Sequence, residues 1–202
     1  MTIELRVHNG VGTATLNRPE SMNAITAEIL TEWTAGIHEL ADNPDVKVIV
    51  LTGAGKAFSA GLDLKNRFDG GEDTPWSKET NPANRASKAL SYAIEFVRAL
   101  ARVNQPTIAA VNGWAVGAGI SFAAACNIRL ASPSAVFSAP FVKLGISGGD
   151  LGLSWFLPRI IGLPHATDMI LNCREYDAEK ALELGLVTAI EDDVVAAAQA
   201  MG

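Results

Sequence analysis

The sequence has few of the residues that bind metals or form disulfides. In 202 residues there are two cysteines, Cys126 and Cys173, and three histidines, His8, His38 and His165. Both cysteines lie in apolar stretches and the histidines are scattered singly. This pattern indicates neither a disulfide framework nor a metal site, and a reducing cytoplasm is the compartment we expect.

The sequence also lacks an excess of basic charge. It has 16 Lys and Arg against 22 Asp and Glu, which gives a net charge of −6. An acidic chain is a poor general binder of nucleic acid or of an anionic membrane, so neither is an expected partner.

No segment reads as a secretory signal or a membrane span. The N-terminus, Met1-Thr2-Ile3-Glu4, has no basic region followed by an apolar one. Residues 107–126 are mostly apolar, but Asn112 and three glycines interrupt them and leucine is absent. Small-residue runs of this kind indicate tight backbone packing in a soluble core.

The apolar pattern predicts one α/β domain over residues 1–202. Hydrophobic residues make up 49% of the chain, which is enough for a substantial core. A β-hairpin is expected at 3–16 around Asn9-Gly10, and Thr26 is expected to cap the first helix. Residues 65–84 show no periodicity and predict a long loop. Further strands are expected at 46–52, 107–111, 128–131 and 135–137, and further helices at 90–100, before Cys126, and at 153–160, 166–171, 177–184 and 192–201.

Two glycine-rich turns, each leading from a strand toward a helix, are the first candidates for a functional site. Such turns free backbone N–H groups where a helix dipole favours negative charge. Each could instead be a loop that only needs positive φ angles, and a nucleotide-binding fold is disfavoured because no G-x-G-x-x-G follows the first strand. The glycines are Gly53, Gly55 and Gly61 in the first turn and Gly113, Gly117 and Gly119 in the second.

Four segments in order, with matching gaps, resemble the crotonase superfamily of enoyl-CoA hydratases and isomerases. The resemblance implies a spiral of β-β-α units, assembled as homotrimers or homohexamers. Chains of that family usually continue with further helices, so a truncated C-terminal helical region is expected. The segments are Leu16-Asn17-Arg18-Pro19 with Asn23-Ala24, Lys56-Ala57-Phe58-Ser59-Ala60-Gly61-Leu62-Asp63-Leu64, Ala110-Val111-Asn112-Gly113-Trp114-Ala115-Val116-Gly117-Ala118-Gly119, and Gly185-Leu186-Val187.

The resemblance also implies that two peptide N–H groups, those of Leu62 and Ala118, hold an enolate-like thioester oxygen. Coenzyme A is then part of the substrate, and no separate cofactor is expected. Lys56 could contact a phosphate or the adenine end, or could equally be a solvated surface lysine. By position, the residues expected to bind coenzyme A are Ala24, Lys56, Ala60, Gly61 and Asp63.

The sequence departs from the resemblance at the acid–base groups. Two glutamates that activate water in classical hydratases are replaced by Ser121 and Phe141, so hydration by a glutamate pair is not expected. Asp150 is the remaining candidate base or nucleophile, although an aspartate after glycines also commonly caps a helix. Trp114, Ser121 and Phe141 are expected to line the acyl pocket, although Ser121 is more simply a helix-packing serine.

The leading hypothesis is therefore an enzyme that acts on an acyl-CoA thioester through an enolate, by isomerisation or another reaction that depends on Asp150. Two alternatives remain. One is an acyl-CoA-binding protein or oligomer subunit with little catalysis. The other is an α/β binding domain that does not recognise coenzyme A.

Overall fold

The computed structural model describes residues 2–63, 74 and 76–202, apart from the side chains of Ala86 and Asp150. Strands and helices alternate along most of the chain, as the sequence predicts. The strands are β1 (Ile3–His8), β2 (Val11–Leu16), β3 (Val48–Gly53), β4 (Ala57–Ser59), β5 (Thr107–Val111), β6 (Trp114–Val116), β7 (Ile128–Ala131), β8 (Val136–Ser138), β9 (Glu175–Asp177) and β10 (Ala189–Ile190). The helices are α1 (Ala27–Asp42), α2 (Pro82–Arg102), α3 (Ala118–Ala125), α4 (Leu153–Leu171), α5 (Ala178–Glu183) and α6 (Val194–Ala200).

In the described part of the chain, the strands form a six-stranded and a four-stranded sheet. The larger has the order β1-β2-β3-β5-β7-β10 and the smaller the order β4-β6-β8-β9. Three times the chain runs through a strand of the larger sheet and then a strand of the smaller one before it reaches a helix, at β3–β4, β5–β6 and β7–β8. This repeated β-β-α unit is the predicted spiral.

Local signals in the sequence account for the first elements. Asn9 and Gly10 both have positive φ, 48° and 86°, which a two-residue hairpin turn of this kind requires. The Thr26 hydroxyl accepts a hydrogen bond from the N–H of Ile29, so Thr26 caps α1 as expected.

The central strands of the larger sheet, β3 and β5, are buried on both faces. On one face, the rings of Trp33, Phe96 and Phe122 stack in a row, with centroids 4.6 and 3.7 Å apart, and so join α1, α2 and α3. On the other face, Val194 and Ala198 of α6 belong to a second buried cluster with residues of the sheet. Burial on both faces explains why β3 begins with four apolar residues in a row rather than alternating apolar and polar ones.

Three sequence-based expectations need adjustment. The segment 65–84 was expected to be a loop, but α2 begins at Pro82, capped by the side chain of Asn81, and residues 64–73 and 75 lie outside the described residues. The two helices expected at 153–160 and 166–171 are the halves of α4, which is interrupted at Gly162 with φ 77°. The three-residue strands of the smaller sheet were mostly not predicted.

Among the described residues, no helix is long and apolar enough to span a membrane.

Candidate active site

The two glycine-rich turns lie against each other, backbone to backbone. Gly61 and Gly117 both have positive φ, 85° and 56°. A Cβ added to Gly61 would lie 2.7 Å from the carbonyl oxygen of Val116 and 3.1 Å from the nitrogen of Ala118. Real Cβ atoms keep more than 3.0 Å from such neighbours, so this approach requires glycine. The segments that carry Leu62 and Ala118 are therefore neighbours in space.

Two further glycines extend this contact along both turns. A Cβ on Gly113 would clash with the carbonyl oxygen of Lys56, and one on Gly119 would clash with that of Ser59. In both places the obstructing atom is backbone, which cannot rotate away as a side chain can. The glycines thus let β4 and the start of α3 pack at main-chain distance, which sets the spacing between the turns.

The direction of the Leu62 N–H is set by hydrogen bonds on either side of it. The carbonyl oxygen of Gly61 accepts from the N–H of Ile25 at 2.7 Å, and the N–H of Asp63 donates to the carbonyl of Ile25 at 2.9 Å. In a trans peptide the C=O and N–H point in opposite directions. Because the Gly61 carbonyl faces Ile25, the N–H of Leu62 points away from Ile25.

The N–H of Ala118 is at the first position of α3, where an amide has no acceptor within its own helix. Within residues 2–63, 74 and 76–202, neither this N–H nor that of Leu62 has a hydrogen-bonded acceptor. The turns thus present two unused donors, one of them at the positive end of a helix dipole.

Asn23, to which the sequence analysis gave no role, braces the first turn. It is fully buried, with φ 55°. Its amide nitrogen donates to the carbonyl oxygens of Ala54 at 2.9 Å and Ala57 at 2.7 Å, while its Oδ1 accepts from the N–H of Arg18 at 2.9 Å. Both polar atoms of this side chain form hydrogen bonds with backbone groups, so Asn23 fixes the turn to the segment before α1.

Asn112 braces the same turn from the other side. Its Nδ2 donates to the carbonyl of Gly55 at 3.0 Å and, at 3.3 Å, to that of Ala57. Its Oδ1 accepts from the N–H of Gly53 at 3.2 Å. An asparagine directly after a strand and before a glycine turn was the available signal for this role. The side chain alone does not reveal that its partners lie more than 50 residues away.

Arg18 links two of the residues expected to bind coenzyme A. Its Nη1 donates to the carbonyl of Ala24 at 2.9 Å and lies 3.4 Å from the carboxylate of Asp63. Asp63 is only 9% exposed, so its carboxylate is part of a mostly buried ion pair. The N–H of Ala60 donates to the carbonyl of Met22 at 2.9 Å, which joins the same two segments.

The expected site residues differ in exposure. Lys56 is exposed, and among the described residues no carboxylate pairs with it. Trp114 is 38% exposed on β6, whereas Phe141 is 4% exposed. Ser121 is fully buried on α3, and its hydroxyl donates to the carbonyl of Gly117 at 3.3 Å, as a helix-packing serine would.

Asp150 begins a short 3-10 helix, Asp150–Gly152, which packs against α2 and α3. Its segment is therefore next to the helix that starts at Ala118. Its side chain is not among the described parts of the structure.

Comparison with known proteins is consistent with this architecture. The family model of enoyl-CoA hydratase/isomerase matches residues 6–201. A protein of Mycobacterium tuberculosis named probable enoyl-CoA hydratase EchA14 is 40% identical over 96% of this chain and 71% of its own length.

Solved structures agree over nearly the whole chain. A probable enoyl-CoA hydratase/isomerase from Mycobacterium abscessus superposes with a TM-score of 0.91 at 32% identity, over 100% of this chain and 74% of that one. A monofunctional enoyl-CoA isomerase from M. smegmatis gives a TM-score of 0.78 at 33% identity, over 99% of this chain and 82% of that one. The fold is thus that of crotonase-type enzymes. The chain belongs to the enoyl-CoA hydratase/isomerase family.

Proposed function

We propose that the protein binds an acyl-CoA thioester and stabilises its enolate with the N–H groups of Leu62 and Ala118. The observation that carries this proposal is a pair of backbone donors, without an acceptor among the described residues, on two turns in main-chain contact. Donors fixed in advance where negative charge develops are worth about 3–4 kcal/mol each in a water-excluded site. The side chains at both positions matter little in this scheme, because the backbone makes the contact.

Coenzyme A would be held by the segment before α1 and by the first turn. Exposed Lys56 is available to meet a phosphate of the nucleotide. Ala24, Ala60 and Gly61 would line this site, although the carbonyl of Ala24, the N–H of Ala60 and both backbone groups of Gly61 already form hydrogen bonds within the chain. We infer that Asp63 acts indirectly, by holding Arg18, which in turn holds the carbonyl of Ala24.

For the reaction itself, we propose isomerisation or another step in which Asp150 moves a proton. Ser121 and Phe141 occupy the positions of the hydratase glutamates, and neither can activate water as a carboxylate does. The relatives include proteins named as hydratases and one named as an isomerase, so family membership does not choose between these reactions. Trp114 and Phe141 would shape the acyl pocket around the donors, whereas Ser121 would act only by packing within α3.

Turnover of crotonyl-CoA and of a 3-enoyl-CoA by the wild type and by Asp150→Asn tests this assignment. We expect the wild type to isomerise the 3-enoyl-CoA, and Asp150→Asn to lose at least about a hundredfold in kcat, since a positioned acid–base group contributes roughly 10²–10⁴-fold. Asp193→Asn is the matched control, because Asp193 caps α6 on the opposite face of the larger sheet. Unchanged activity in Asp150→Asn would remove the base assignment. Thioester binding without turnover of any thioester would instead favour a binding protein.

We also propose that the protein is a cytoplasmic homotrimer or homohexamer. Large apolar side chains on α4 are exposed in the single chain: Trp155 is 60%, Leu163 67% and Leu171 60% exposed. An exposed apolar surface of this kind commonly marks a protein–protein interface. Light scattering coupled to gel filtration would show three or six subunits, and a monomer would contradict the proposal.

A further inference from the structure

We propose that Ser59 is a positioning residue that fixes both the direction and the spacing of the two N–H donors. This inference rests on the proposed function, because it concerns how the donors of Leu62 and Ala118 are held. Ser59 does not itself face the substrate. It is fully buried at the end of β4, between the two turns.

The Ser59 hydroxyl joins two backbone segments. It donates to the carbonyl oxygen of Asn23 at 2.9 Å and accepts from the N–H of Gly61 at 3.2 Å. A hydroxyl that donates once and accepts once in a fully buried place is well satisfied, and its removal leaves both partners without water to replace it. The hydroxyl thus anchors the peptide before Gly61 to the already braced Asn23.

This anchor matters because Gly61 is the flexible point of the first turn. With φ at 85° it occupies a region that only glycine enters easily, and glycine can also leave it easily. Ser59 holds the peptide on the N-terminal side of Gly61, and Ile25 holds the carbonyl on its C-terminal side. With both peptides fixed, the Leu62 N–H has one direction. With the first released, the Leu62 peptide is held only by the two flanking hydrogen bonds to Ile25, so the Gly61 φ can change and the N–H can tilt about those bonds.

Ser59 also touches the second turn. Its carbonyl oxygen lies too close to the position of a Gly119 Cβ for any side chain to fit there, and its own Cβ lies 3.1 Å from that position. Gly119 directly follows Ala118, the second donor. One residue therefore hydrogen-bonds to the turn of Leu62 and packs against the turn of Ala118, so a shift in its position changes the distance between the donors.

The test compares Ser59→Ala with the wild type, using acetoacetyl-CoA as the probe. This thioester is acidic, and its enolate has its own ultraviolet absorbance, so the bound enolate can be measured without turnover. We expect the enolate fraction and the kcat for a 3-enoyl-CoA to fall about tenfold, with KM changed by less than about twofold, because misplaced donors weaken the transition state rather than ground-state binding.

Thr107→Val is the matched control. Thr107 is also a buried hydroxyl, bonded to Asn127, but it begins β5 and so lies at the end of that strand away from the turns. Both variants should lose stability, and only Ser59→Ala should lose enolate. Ser59→Cys, which keeps a weak hydrogen-bonding group of similar size, should fall between Ser59→Ala and the wild type.

Three results would overturn the inference. An equal enolate loss in Thr107→Val would make Ser59 merely structural. A wild-type enolate fraction in Ser59→Ala, or in Ser59→Cys if the alanine variant does not fold, would show that Ser59 does not position the donors. The proposed function would then still stand. A wild type that neither binds acetoacetyl-CoA nor forms its enolate would overturn the proposed function and this inference together.

Discussion

Replacement of Gly119 by alanine should separate the two turns without changing any group that touches substrate. The added Cβ would fall well inside 3.0 Å of the Ser59 carbonyl oxygen, a distance that real Cβ atoms essentially never cross. To reach even the 3.0 Å limit, the two backbones must separate by about 0.6 Å, and an ordinary contact requires about 1.0 Å. Neither can yield by a side-chain rotation, so the separation passes directly to Ala118, the neighbour of Gly119.

The expected effect follows from that displacement. A misplacement of about 1 Å in a catalytic arrangement costs roughly a hundredfold in rate. For 0.6 Å or more we expect kcat/KM to fall about 30- to 100-fold, which corresponds to about 2–3 kcal/mol of transition-state stabilisation. Most of the loss should appear in kcat, because the coenzyme A contacts are on the other turn.

The assay is steady-state turnover of a 3-enoyl-CoA, with urea unfolding to show that the variant is folded. Gly12→Ala is the control, since its Cβ would also be crowded, at 3.0 Å from a Leu40 side-chain carbon, but on β2 and against atoms that can rotate. A folded Gly119→Ala protein with wild-type kcat would refute the idea that the spacing of the turns controls the reaction.

Three further predictions concern single side chains. Lys56→Ala should raise KM for a CoA thioester about fivefold, because a phosphate contact worth roughly 1 kcal/mol is lost. KM for a pantetheine thioester, which lacks the nucleotide, should not change. Equal effects on both substrates would contradict a phosphate contact. Arg129→Met should lower the free energy of unfolding in urea by about 2–4 kcal/mol, because the buried guanidinium donates to two backbone carbonyls, including that of Leu186 at 2.7 Å; a change below that of exposed Arg98→Met would be inconsistent with this role. A hydrogen bond from Asn172 holds the pKa of Asp168 below its ordinary value. The contribution of the Asp168 carboxylate to stability is therefore complete above pH 3.8 and is lost as the pH falls through the lower folded-state pKa. The difference in the free energy of unfolding between the wild type and Asp168→Asn should narrow in acid, and a constant difference would contradict this.

The sequence predicted those elements whose signals are local. Asn9-Gly10 specifies its hairpin through torsion angles that few other residues adopt, and Thr26 caps α1 with an atom three residues from its partner. The Asn81-Pro82 pair is an equally local signal for a helix start, and the prediction of a loop through Asn84 did not take it into account. Long strands such as β5 were also found, because five buried residues in a row are distinctive.

Non-local features were less accessible. β4 and β6 have three residues each, too few to show a period of two, and they exist because Gly113 and Gly119 admit another backbone. The identity of the two donor residues was predicted from the family resemblance rather than from any pattern in the residues. Asn23 and Asn112 brace the first turn by joining segments 31 to 59 residues apart, a distance over which a single sequence carries no pairing signal.

A crystal structure with acetoacetyl-CoA bound would locate the thioester oxygen relative to both N–H donors. We expect this oxygen between the two turns, about 2.7–3.1 Å from both the Leu62 and the Ala118 nitrogens. A bound thioester whose oxygen lies away from either nitrogen, with the donors still unused, would contradict it.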